Sequence, residues 1–217
     1  MIVGLNLLYL LPGVVGGTET YAAGLLHGLA AAYGHTAERI DVVPEAPSPG
    51  LSGPDPMPPE APDAGTGPYL LAFGGVTPNK NLERLLRAYA LASERHGLTQ
   101  RLVLVGHVPA SVGAERTAGV VTTGYLDEAT LARWLTHADA LVFPSLYEGF
   151  GLPVLEAMAA GVPVVCSAVT AIPEVAGDSA VYFDPRDTGD MAGKIALVGR
   201  PGPAGRSPGS PALRVPR

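Results

Sequence analysis

Two glutamates eight positions apart enclose a glycine-rich run: Glu148, then Gly149-Phe150-Gly151-Leu152-Pro153, then Glu156 within the segment that ends at Gly161. Glycines let a backbone approach a ligand, proline suits a first helical turn, and free amides at a helix start can hold a phosphate. A bare Gly-x-Gly is more often an ordinary strand-to-helix turn. Glu156 lies among Leu152, Val154, Leu155, Met158 and Ala159 and is the only charged residue between Glu148 and Glu174. A carboxylate on so apolar a helix needs a hydrogen-bonding partner, and ligand hydroxyls would serve. Glu148, at a strand's mouth, is as readily a solvent-facing residue. Lys80 closes Gly74-Gly75-Val76-Thr77-Pro78-Asn79 at a helix beginning, where the macrodipole favours acids over cations. An anion bridging it to nearby amides would account for it, and so would a solvated loop position. Gly16-Gly17 precede a helix opening Thr18-Glu19-Thr20, but Gly-x-Gly-x-x-Gly is absent there, which argues against an NAD-dependent oxidoreductase. His27, His35, His96, His107 and His137 lack metal-ligand spacing, and Ser145 lacks a nucleophile-elbow context. Neither a bound metal nor covalent serine chemistry is expected.

These residues fall at the junctions of a regular alternation. Tyr69 to Phe73, Leu102 to Val105, Val120 to Thr123, Ala140 to Phe143, Val162 to Cys166 and Ala180 to Phe183 are short apolar runs that predict buried strands. Leu82, Leu85, Leu86 and Tyr89 recur at helical spacing, Asp127 opens a helix carrying Leu131, Trp134, Leu135 and Ala138 on one face, and a further helix is predicted over 153–160. Continuous apolar strands separated by amphipathic helices predict an α/β fold, a doubly wound parallel sheet, whose ligands bind at the carboxyl ends of the strands. Residues 1–43 repeat the grammar once, as strand, Gly16-Gly17 loop, helix and strand, which is too little for a second core.

Composition sets the outer limits. The chain has 217 residues, 47% hydrophobic and 16% charged, with a net charge of -6, 28 glycines, 22 prolines and one cysteine. Nine prolines lie in 44–68 and five more after Arg200, so a linker over 44–68 and a disordered tail over 200–217 are expected to flank a domain at 69–199. The tail holds four arginines and no acid, leaving a body with 10 basic against 20 acidic residues. So acidic a body argues against nucleic acid as a partner. Cys166 has no mate for an intrachain disulfide, and no Lys or Arg precedes Arg39 as an export signal would need. With no run of ~20 apolar residues, a cytoplasmic protein is expected, with a membrane-peripheral location left open.

The pattern from Glu148-Gly149-Phe150-Gly151-Leu152-Pro153 through Glu156-Ala157-Met158-Ala159-Ala160-Gly161 resembles the donor-binding motif of retaining glycosyltransferases of family 4. Pro78-Asn79-Lys80-Asn81-Leu82, Ala138-Asp139-Ala140 through Pro144-Ser145, Ile172-Pro173-Glu174, Asp184-Pro185 and Gly16-Gly17-Thr18-Glu19 fit the same family in the same order. The resemblance implies the Rossmann-like donor domain of a GT-B fold, with metal-independent transfer of a sugar from a nucleotide sugar and retention of anomeric configuration. No cofactor is implied, the nucleotide sugar being substrate. Carried over position by position, it gives Lys80 the donor diphosphate and Glu148 the sugar hydroxyls near the reacting carbon. The amides around Phe150, Gly151 and Leu152 would hold sugar and phosphate, and Glu156 the ribose hydroxyls. Gly16 and Gly17 would approach the diphosphate from the other domain, and the base would lie near His107, Tyr125 and Leu126.

The sequence also departs from the family. Gly75 and Asn79 stand where members tend to carry arginine, the family's histidine near the sugar has no match in His27 or His35, and residues 1–43 read as a truncated remnant of the acceptor domain. Two functions follow as expectations: a glycosyltransferase acting on an unknown acceptor, or a noncatalytic nucleotide-sugar binding module. Either would be completed by a partner chain or by association with its own kind.

Overall fold

Apolar runs without polar alternation suit strands covered on both faces, and the computed structural model, which describes residues 67–199, builds six of them into one parallel sheet. The strands are β1 (Tyr69–Phe73), β2 (Arg101–Val105), β3 (Val120–Gly124), β4 (Ala140–Phe143), β5 (Val164–Ser167) and β6 (Val181–Phe183). Their spatial order is β3-β2-β1-β4-β5-β6, every pair parallel. The helices are α1 (Leu82–His96), α2 (Glu128–Thr136), α3 (Leu152–Ala159), α4 (Ile172–Ala176) and α5 (Thr188–Val198). Between β2 and β3 two short 3-10 turns, Ala110–Val112 and Ala114–Arg116, stand in for a crossover helix. The doubly wound α/β sheet expected from the sequence is thus present. The remnant at 1–43, with Gly16 and Gly17, most of the linker and the tail lie outside the described residues.

Each strand sends alternate side chains into two separate cores. Leu70 and Ala72 of β1, with Leu102, Leu104, Val142 and Val165, pack beneath α1 and α5. Tyr69 and Leu71, with Val103, Leu141, Phe143 and Cys166, pack against α2, α3 and α4. Leu70, Leu71, Leu102, Leu104 and Leu141 are wholly buried, and each such side chain contributes roughly 1.5–3 kcal/mol. One polar link strengthens the second core: the Tyr69 hydroxyl donates to the Trp134 carbonyl at 2.7 Å, with the two rings edge to face at 5.2 Å.

The element ends show what local chemistry decides. Asp127 caps α2 by accepting from Thr130 N at 2.8 Å, and Asp187 caps α5 by accepting from the amides of Gly189 and Asp190. Those hydrogen bonds hold the Asp127 carboxyl below its ordinary range. β5 begins at Val164, two residues later than the apolar run suggests, because Pro163 has no amide to give the ladder. The Ile172-Pro173-Glu174 segment is the first turn of α4.

Cys166 lies on β5 with no exposed surface, and burial pushes its thiol up to about 12. The folded chain therefore keeps a proton that the unfolded chain releases near pH 8.5–9, so this residue's contribution to stability is lost as pH rises from there to about 12. Iodoacetamide is expected to label Cys166 at pH 8 only in denaturant; rapid labelling of the native chain, read by mass spectrometry, would contradict this.

Candidate functional site

In a doubly wound sheet the strand order reverses at one point, and the crevice outside the carboxyl ends there receives the ligand. Here that point lies between β1 and β4, which pair through Leu70 with Ala140 and Leu71 with Leu141. The loop leaving β1 runs through Gly74 and Gly75 into a 3-10 turn, Pro78–Lys80, and then α1. The loop leaving β4 runs through Pro144, Ser145 and Glu148 into α3. The two loops are tied backbone to backbone, Leu146 N donating to Asn79 O at 2.7 Å.

Lys80 and Glu148, 68 positions apart in sequence, meet in this crevice. The Lys80 ammonium donates to Glu148 Oε1 at 2.7 Å, and the two side chains are 26% and 16% exposed. The ammonium also stands 5.5 Å from the centre of the Phe143 ring, within cation–π range. Glu148 is therefore not the solvent-facing carboxylate that its position also allowed, and Lys80 is not a solvated loop side chain. Its charge at the helix start is matched by a protein carboxylate. Gly75 makes room for this arrangement, since a Cβ there would lie 2.7 Å from Lys80 Cγ. The Lys80 stem thus takes the space that a side chain at position 75 would need.

Ser145, which sequence reasoning weighed only as a nucleophile, is wholly buried and donates to the same Glu148 Oε1 at 2.7 Å. Thr170, which sequence reasoning missed, holds the Glu148 backbone: its hydroxyl accepts from Glu148 N at 3.2 Å and donates to Glu148 O at 2.8 Å. Asn81 was also missed as a functional residue. It adopts the left-handed conformation, φ 56°, and its amide group donates to Pro144 O at 3.0 Å and Pro185 O at 2.8 Å. Its side-chain oxygen accepts from Arg84 Nη1 at 2.8 Å. One buried asparagine thus ties the loops after β1, β4 and β6. The available signal was an asparagine immediately before a helix, next to Lys80; its partners are remote in sequence. Asn81→Ala is expected to lower unfolding free energy by about 2–3 kcal/mol, since it orphans two buried carbonyls and leaves a residue less suited to left-handed backbone. Urea denaturation with an unchanged midpoint would contradict that.

The glycine-rich loop closes the site. Gly151 ends it in the left-handed region, φ 94°, and N-caps α3, with Leu152 and Pro153 in the first turn. The amides of Phe150, Gly151 and Leu152 donate to no backbone carbonyl among the described residues. The amides of Gly151 and Leu152 lie at a helix start, beside which an anion is favoured. Glu156 lies on α3, partly buried, one turn beyond the start. Tyr125 and Leu126 follow β3 at the same sheet edge but two strands away from β1. Tyr125 is 92% exposed, whereas Leu126 packs against the core. His107, after β2, is exposed, and the mouths of β2 and β3 are joined by a bridge from Gly106 N to Gly124 O at 2.8 Å. Among the described residues no three His, Cys, Asp or Glu side chains converge, and no helix is long and apolar enough to cross a membrane.

Comparisons with known proteins bear on the family and the fold. The chain is 38% identical over 135 residues to the O-antigen chain mannosyltransferase B of Escherichia coli, covering 58% of this chain and 35% of that protein. It is 30% identical over 128 residues to the O-antigen chain mannosyltransferase RfbU of Salmonella typhimurium, covering 55% of this chain and 35% of that one. The chain thus spans about a third of the length of these relatives. The solved structure of the sucrose-phosphate synthase from Thermosynechococcus elongatus superposes with a TM-score of 0.57 at 24% identity, covering 81% of this chain and 47% of that one, a likeness of fold. The family model for glycosyl transferases group 1 matches residues 67–198, the whole of the sheet and both loops of the crevice, and the chain belongs to that family.

Proposed function

We propose that residues 69–199 form the nucleotide-sugar-binding half of a retaining glycosyltransferase. The observation that carries this reading is the meeting of Lys80 and Glu148 beside a glycine-capped helix start, at the one point where the strand order reverses. A nucleotide sugar needs a cation and amides for its diphosphate, and a carboxylate for its sugar hydroxyls, within a few ångströms of each other. Lys80 and the amides of Phe150, Gly151 and Leu152 would take the diphosphate, and Glu148 the sugar. Glu156 would hold the ribose and the region of Tyr125 and Leu126 the base. Donors fixed in advance around a leaving diphosphate stabilise the charge that builds up as the sugar turns cation-like. No cofactor enters this scheme.

Because the similar proteins are mannosyltransferases by name, a nucleotide-activated mannose is the first donor to try. They also favour transfer over a noncatalytic binding module. The acceptor would be bound by residues outside 69–199, in this chain or a partner. Such a donor would be met in the cytoplasm, at or away from the membrane surface. The test is incubation of the full chain with GDP-mannose, UDP-glucose or ADP-glucose, following release of nucleoside diphosphate and the anomer of the released or transferred sugar. Release dependent on Glu148, with the donor's anomeric configuration kept, is expected. An inverted product would contradict the retaining reading.

A further inference from the structure

We propose that Ser145 and Thr170 are positioning residues that hold Glu148 toward the donor sugar once Lys80 turns to the diphosphate. The proposal rests on the donor-site reading above and adds to it two residues that would touch neither phosphate nor base. Glu148 Oε1 accepts from both Lys80 Nζ and Ser145 Oγ, each at 2.7 Å, while Oε2 accepts from no donor among the described residues. A diphosphate carries more charge than one carboxylate and draws the ammonium away. The Glu148 carboxylate then keeps a single protein donor, the Ser145 hydroxyl, and Oε2 remains the oxygen open to a sugar hydroxyl.

Ser145 is suited to that task because it cannot follow the lysine. It is wholly buried, and the carbonyl just before it, Pro144 O, is held by Asn81. Thr170 fixes the other end of the glutamate. It is a β-branched residue at φ 48°, where such side chains are strained, and its one hydroxyl bonds both the amide and the carbonyl of Glu148. Backbone strain of this kind costs about 1–3 kcal/mol and persists where the surroundings over-determine it, commonly at ligand sites. A residue that served only to join two loops would not need to be strained to reach both backbone groups of the one glutamate facing the crevice.

The test separates sugar from diphosphate. Isothermal titration of the full chain compares GDP with GDP-mannose, UDP with UDP-glucose, and ADP with ADP-glucose. For the pair that binds, the sugar's contribution is the ratio of the two dissociation constants. Ser145→Ala is expected to cut that ratio roughly tenfold, the loss of a hydrogen bond to a charged group, and Thr170→Ala by a similar factor, the loss of two bonds to the Glu148 backbone, with nucleoside diphosphate affinity within about twofold of wild type. Thr170→Ser keeps the hydroxyl and is expected to match wild type. Ser145→Cys leaves no cavity, being slightly larger, and supplies only a weak donor, so it is expected to behave like Ser145→Ala, which guards against a cavity effect. Equal weakening of both ligands would mean a merely structural role and overturn the proposal. So would an unchanged ratio, or a wild-type chain to which the sugar adds no affinity. A wild-type chain that binds no nucleoside diphosphate would instead overturn the donor-site reading itself, and this proposal with it.

Discussion

Lys80→Ala is expected to abolish the rise in melting temperature that a nucleoside diphosphate gives the unsubstituted chain. A ligand at a hundred times its dissociation constant stabilises the folded state by about 2.7 kcal/mol, on the order of 10 °C for a domain of this size. Lys80 places its ammonium in the β1–β4 crevice, in contact with Glu148. The helix-start amides alone offer partial charges only, so removal of the ammonium takes away most of the attraction for a diphosphate. The substitution also has its own effect without ligand. Glu148 loses a 2.7 Å charge-assisted bond but stays partly solvated and keeps Ser145, so the loss of stability is expected to be only about 1–2 kcal/mol. Differential scanning calorimetry with and without ligand separates the two effects. A ligand-induced shift that survives Lys80→Ala would show that the diphosphate binds elsewhere.

Gly151→Ala is expected to damage both the fold and the site. At φ 94° the backbone is in a region that L side chains rarely adopt, which costs about 1–2 kcal/mol. The added Cβ would also lie 2.5 Å from Ile172 Cδ1, and Ile172 is wholly buried at the start of α4. Overpacking of that kind costs roughly 1–3 kcal/mol. The protein can relieve it by turning the Ile172 side chain within the core, by moving α3 away from α4 or by shifting the loop that carries Gly151. A loss of roughly 2–5 kcal/mol in urea denaturation is therefore expected, together with weaker nucleoside diphosphate binding at temperatures where the chain is still folded. Gly149, in the same loop, is a useful contrast, because it is not among the glycines held at positive φ. Wild-type stability in Gly151→Ala would mean that the loop has a different course.

The fold was legible because its signal is local. Tyr69 to Phe73, Leu102 to Val105 and Ala140 to Phe143 are apolar without alternation, as strands between two helical layers must be, and the structure divides each between the two cores. The boundaries were less legible where one atom decides them, as Pro163 shows by delaying β5. At the site, Lys80, Glu148 and Gly151 stood out because charge or glycine interrupts apolar sequence. What the sequence could not show was that Lys80 and Glu148 touch, since a parallel crossover brings together residues 68 positions apart. Ser145, Asn81 and Thr170 were hidden for a different reason. They are small polar residues of types common in loops, and only the geometry distinguishes a serine that faces solvent from one buried against a carboxylate.

The most direct measurement is isothermal titration of GDP, UDP and ADP into the full 217-residue chain and into Lys80→Ala. Saturable binding of one nucleoside diphosphate per chain, weakened by at least about a hundredfold in the variant, is the expected result. No saturable binding of any of the three, or equal binding by both proteins, would contradict a donor-diphosphate site between β1 and β4.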